Sequence, residues 1–89
     1  MTAEIIKTVV YAIRAKRFVP AFQPVYNAET GKIFAYEALA RLVNENTILY
    51  PDAFMPAAEQ HRLTHYIDTM ILQRACEAVK GKNARLFVN

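Results

Sequence analysis

Residues 34–42, FAYEALARL, carry one acid, Glu37, and one base, Arg41, in an otherwise apolar run. What these two side chains can do depends on the backbone that presents them. On a helix they form an i,i+4 pair worth about 0.2–0.5 kcal/mol, with Phe34, Ala35, Ala38, Leu39 and Leu42 as the buried face. On a strand, Glu37, Leu39 and Arg41 share one face, and Phe34, Tyr36, Ala38, Ala40 and Leu42 share the other. The two charges then stand roughly 13 Å apart at ~3.3 Å per residue. At that distance each needs a partner of its own, a cation for the carboxylate and an anion for the guanidinium.

The elements around this run bear on the choice. Residues 3–17 repeat Ile5, Ile6, Val9, Val10 and Ile13 at helical spacing, with Thr2 as a candidate cap. Pro20 and Pro24 then force an extended piece, PAFQPVYN, because the residue before a proline is pushed out of helical geometry. NAETGK supplies turn formers in Asn27 and Gly31. An extended piece, a glycine turn and an apolar run predict a β-hairpin. Ala, Leu, Glu and Arg are nevertheless good helix formers, so local patterning leaves helix and strand evenly balanced at 34–42.

Further along, VNENTILYP reads as a loop. PAAEQH reads as a short helix with Pro56 in its first turn. The segment 63–82 is the clearest helix, with a stripe of Leu63, Tyr66, Ile67, Met70, Ile71, Ala75, Ala78 and Val79 and with Gly81 as its stop. ARLFVN closes as a short buried strand. A strand, a crossover helix and a strand make a βαβ unit, so these last two strands are expected to run parallel.

Composition narrows the function. At 89 residues the chain makes one small domain at most. It is 54% hydrophobic, apolar for a length that buries only a modest core, and it ends on an apolar run. Both features suggest part of something larger. The net charge is +3 and the pI about 9.2. Arg14, Lys16 and Arg17, then Lys80, Lys82 and Arg85, sit at predicted helix ends, where cations suit the dipole. They do not form the long basic stripe with interleaved aromatics of a nucleic-acid surface. The single cysteine, Cys76, reads as a small buried hydrophobe. It gives no disulfide framework, so a reducing compartment, the cytoplasm, is expected. No apolar run is long enough to span a bilayer, and the N-terminus lacks a cleavage signature. His61 and His65 have the spacing of a metal pair, but a predicted helix break separates them and no third ligand stands nearby.

The residues FQPVYNAETGKIFAYEALARL resemble the opening of the EAL domain of bacterial cyclic-di-GMP phosphodiesterases. That family begins with a helix, a Q-P strand, a T-G turn and an E-A-L-x-R strand. PDAFMPAAEQHRL is similar to its P-x-x-F-hydrophobic-P-x-A-E segment, IDTMILQRACEAV to the helix that follows, and LFVN to the next strand, which ends in a functional asparagine. The resemblance covers nearly the whole chain, in order and at normal spacing. It departs in NENTILYP, which has no glycine where family members often carry one, and in EQHRL, which replaces a more usual small-residue turn.

This resemblance implies an α/β fold: the N-terminal part of a TIM-type (β/α)₈ barrel, ordered helix, β-hairpin, crossover helix, parallel strand, with 34–42 a strand. It implies that Glu37 and Asn89 are ligands of Mg²⁺ or Mn²⁺ in a two-metal site. Arg41 would lie near a phosphate of cyclic-di-GMP, and Leu39 and Gln23 near a guanine base. All-oxygen ligands suit these hard cations better than zinc. The reaction implied is hydrolysis of one phosphodiester bond to the linear dinucleotide. A whole barrel needs about 250 residues, and the family's downstream acidic pair, lysine and glutamates are not in this sequence. Residues 1–89 are therefore expected to be an incomplete EAL domain, inactive alone, associating through an open barrel edge or attached to regulatory domains. The alternatives are a degenerate EAL domain that binds cyclic-di-GMP or a protein without cleaving it, and a self-contained α+β interaction domain.

Overall fold

A computed structural model describes residues 3–88. Its elements are α1 (Ala3–Arg14), β1 (Phe18–Tyr26), β2 (Ile33–Asn44), β3 (Thr47–Leu49), α2 (Pro51–Gln60), α3 (Thr64–Val79) and β4 (Leu86–Val88). The 34–42 run is a strand, in the middle of the longest strand of the sheet. Tertiary pairing overrides its helix propensity: β2 has a hydrogen-bonded neighbour along both edges.

β1 pairs antiparallel with β2 from Phe18↔Leu42 to Tyr26↔Ile33. The hairpin loop is closed by the turn chemistry its sequence offers. The Asn27 side-chain oxygen accepts the backbone N–H groups of Glu29 at 2.8 Å and Thr30 at 3.1 Å, and Gly31 takes φ 72°, a conformation glycine adopts without steric cost. β3 and β4 share the other edge of β2. β3 pairs antiparallel at Leu42↔Leu49, and β4 pairs parallel at Glu37↔Phe87 and Ala38↔Val88, so the βαβ expectation holds.

The core lies between one sheet face and the helices. Val9 and Ala12 of α1, Phe54 and Ala58 of α2, and Ile67, Ile71 and Ala75 of α3 close on Phe18, Ala38 and Leu42. The Phe18 and Phe54 rings meet edge to face at 5.2 Å, a geometry worth about 0.5–1.5 kcal/mol beyond burial. Arg74 fixes α3 to the sheet by donating from Nη1 to the Phe18 carbonyl at 2.8 Å.

Several expectations need correction. VNENTILYP is not a loop. Asn44 pairs with Thr47, and Glu45 turns the chain at φ 54° without a glycine. α2 starts at Pro51, which takes the N-terminal position, so Pro56 lies inside the helix; Pro56 and Asp52, whose carbonyl loses its donor there, are both exposed to water. The buried stripe of α3 is narrower than the sequence suggests: Tyr66 is 49% exposed and Ala78 is exposed. Cys76 is exposed as well, because it sits about 100° round the helix from buried Ala75. Lys80, Lys82 and Arg85 lie beyond the last turn of α3, whereas Arg14 does close α1. The capping role given to Thr2 lies outside the described residues.

Candidate functional site

Side chains alternate across a strand, so the register assigns each site residue to a face. Ala38 and Leu42 belong to the helix-covered core. Glu37, Leu39 and Arg41 therefore stand on the opposite face. Gln23 pairs across β1 with Glu37, Ala21 pairs with Leu39, and Phe87 of β4 flanks Glu37 on its other side. The structure thus brings Gln23, Glu37, Leu39 and Arg41 to one uncovered face of the sheet. Asn89, the remaining expected site residue, lies outside the described residues.

The four positions differ in environment. Gln23 is exposed, while Glu37, Leu39 and Arg41 are half-buried. On the sheet, Glu37 has Gln23 as its register partner on one side and Phe87 on the other. Arg41 is restrained twice: Nη1 donates to the Ala40 carbonyl at 2.8 Å, and the guanidinium carbon stands 4.7 Å from the centre of the Tyr50 ring. Sequence reasoning missed Tyr50. Its signal was Asn44-Glu45-Asn46-Thr47, a polar tetrapeptide able to reverse the chain. That reversal lays β3 beside the end of β2 and places Tyr50, the next residue, level with Arg41.

Glu37 offers hard oxygen donors from its carboxylate. Such donors suit Mg²⁺ or Mn²⁺, and Mg²⁺ characteristically takes only one or two carboxylates and keeps several waters. The donor chemistry fits such an ion. The number of ligands is incomplete, since among the described residues no three His, Cys, Asp or Glu side chains gather. His61 and His65 are both exposed, and the chain turns between α2 and α3 at 61–63, as expected.

The family model of the EAL domain matches residues 6–89. The chain belongs to the EAL domain family. No curated protein matches it. Among solved structures, the FimX EAL domain of Pseudomonas aeruginosa, bound to cyclic-di-GMP, aligns with a TM-score of 0.84 at 27% identity over 97% of this chain. The Xanthomonas citri FimX EAL domain, in complex with the same dinucleotide, aligns with a TM-score of 0.81 at 28% identity over 96%. The Bacillus subtilis YkuI protein, in complex with cyclic-di-GMP and calcium, aligns with a TM-score of 0.73 at 22% identity over 94% of this chain and 21% of its own, a likeness of fold. The chain spans 36% and 35% of the two FimX chains. The EAL fold to which it belongs is a TIM-type barrel. Among the described residues, no helix is long and apolar enough to cross a membrane.

Proposed function

We propose that residues 1–89 form the N-terminal third of an EAL domain that binds cyclic-di-GMP and, when the barrel is complete, hydrolyses one of its phosphodiester bonds. One observation carries this reading: Glu37 and Arg41 stand on the same uncovered sheet face, four residues apart, each with room for its own partner. Glu37 supplies a carboxylate oxygen to Mg²⁺ or Mn²⁺, with Asn89, the residue after Val88 in the sequence, as a second ligand. Arg41 directs its guanidinium donors at a phosphate of the dinucleotide, charge-assisted bonds of the strong class. Leu39 offers an apolar contact and Gln23 hydrogen bonds to a guanine base. A bound metal pair would activate water and offset charge on the transferring phosphoryl group. The barrel's remaining strands supply the other acidic ligands and the catalytic lysine, so the 89 residues by themselves do not turn over substrate. The protein works in the cytoplasm, with regulatory domains attached to the barrel.

The test is made in the intact domain that carries this sequence. Glu37→Ala removes an anionic ligand whose charge water does not replace, and is expected to abolish metal-dependent hydrolysis. Turnover at the parent rate would refute the metal assignment. If the unmutated domain binds cyclic-di-GMP but releases no linear dinucleotide at saturating metal, the receptor form of the domain is the correct one.

A further inference from the structure

Among the described residues three arginines lie against aromatic rings. Arg17 stands 5.5 Å from the Tyr11 ring centre, Arg85 4.7 Å from Phe34 and Arg41 4.7 Å from Tyr50. Only the last pair lies on the face that carries Glu37. Tyr50 is also an odd residue for its place. It is the N-cap of α2, where Ser, Thr, Asp or Asn would accept a hydrogen bond from the helix's first turn. Its side chain makes no such bond. The residue is 55% exposed, so core packing does not account for it either. Pro51 follows it and holds it extended, at φ −95° and ψ 161°. Pairing of β3 at Leu42↔Leu49 then sets Tyr50 level with Arg41, whose guanidinium it meets.

We propose that Tyr50 is a positioning residue that holds the Arg41 guanidinium ready for an anionic ligand, the phosphate of the dinucleotide. The inference rests on the role given to Arg41 above. An arginine side chain loses much rotamer freedom on binding. One held beforehand by a ring face and by its bond to the Ala40 carbonyl loses less, and the ligand binds correspondingly tighter. The cation–π contact leaves the guanidinium edge, with its remaining N–H donors, open to an anion.

Substitutions at one position separate positioning from stability. In the intact domain, Tyr50→Phe keeps the ring and is expected to bind cyclic-di-GMP within about twofold of the parent. Tyr50→Ser removes the ring and supplies a good N-cap. It is expected to bind about three- to tenfold more weakly while unfolding at an equal or higher denaturant concentration. A purely structural tyrosine would not produce these opposite movements. In an Arg41→Ala background, Tyr50→Ser is expected to cost no further affinity. The Arg41 Nε–H resonance, read by NMR without nucleotide, is expected to move in Tyr50→Ser and stay in Tyr50→Phe. If Arg41→Ala weakens binding but Tyr50→Ser does not, this inference is overturned alone. If Arg41→Ala binds like the parent, the phosphate role of Arg41 fails, and the role of Tyr50 fails with it.

Discussion

Arg41 and Glu37 put opposite charges on the uncovered sheet face, and the separate roles proposed for them are testable residue by residue. Arg41→Ala removes up to two charge-assisted hydrogen bonds to a phosphate, each of the class worth about 1.5–3 kcal/mol. Nucleotide affinity is therefore expected to fall by at least about tenfold, while metal affinity measured without nucleotide changes little. Calorimetric titrations of the intact domain with each ligand in turn check this; a larger loss for the metal would reverse the roles. The shared face of Glu37, Leu39 and Arg41 was legible from strand alternation once the family resemblance made 34–42 a strand, and the place of Gln23 only through the Q-P motif of that resemblance. Tyr50 was not. Its placement depends on Glu45 adopting φ 54°; the flanking asparagines signal a reversal, but a glutamate at the left-handed position does not announce the register that results. A hairpin closed by glycine would have been visible, as the Asn27–Gly31 turn was.

The same physics decides the element boundaries. α1 and α2 both end with the chain folding back on the last turn. The Arg17 N–H donates to the Ala12 carbonyl at 2.8 Å and the Lys16 N–H to Ile13 at 3.3 Å; the Leu63 N–H donates to Ala58 at 2.8 Å and the Arg62 N–H to Glu59 at 3.1 Å. These are Schellman closures, and the residue at the left-handed position is normally glycine. Here it is Lys16 at φ 56° and Arg62 at φ 57°. Periodicity located both helices, and the absence of glycine hid how they stop. The departure of EQHRL from a small-residue turn thus has a physical cost, since a non-glycine residue in this region is strained by about 1–2 kcal/mol. Glycine's greater unfolded-state freedom offsets part of any gain. Arg62→Gly is therefore expected to stabilise the fold by about 0.5–1 kcal/mol, seen as a higher urea midpoint at unchanged slope. Arg62 is exposed and remote in sequence from the site strands, so nucleotide binding should not follow. A lower midpoint would mean that the Arg62 side chain stabilises the turn by more than its backbone strain.

At the scale of the molecule, the surface is too large for the mass. A compact monomer of 10.1 kDa exposes about 5,300 Å², and this chain exposes 6408 Å². Its radius of gyration is 14.6 Å, against about 12 Å for a compact chain of this length. The excess, on the order of 1,100 Å², has an identifiable source. The helices cover one face of the sheet and leave the other bare. Val25 and Phe87 stand on the bare face at 36% and 52% exposure, and Ile48 on β3 at 54%. β4 also offers an unpaired strand edge, which invites pairing with another chain. Both features were expected from the resemblance to a barrel of which this sequence holds about a third, because the helices can cover one side of a sheet only. The excess is about the area a specific interface needs. The 89-residue chain, prepared by itself, is therefore expected to self-associate through this face and edge, with a mass in light scattering that rises with concentration. Charging the bare face should oppose it. Phe87→Lys places an ammonium on the free edge strand, a device natural sheets use against edge pairing, and is expected to shift the mass toward that of one chain. A parent chain that stays monomeric at high concentration and unfolds in one cooperative step would show that the bare face is tolerated in water. It would then favour the self-contained interaction domain over the incomplete barrel.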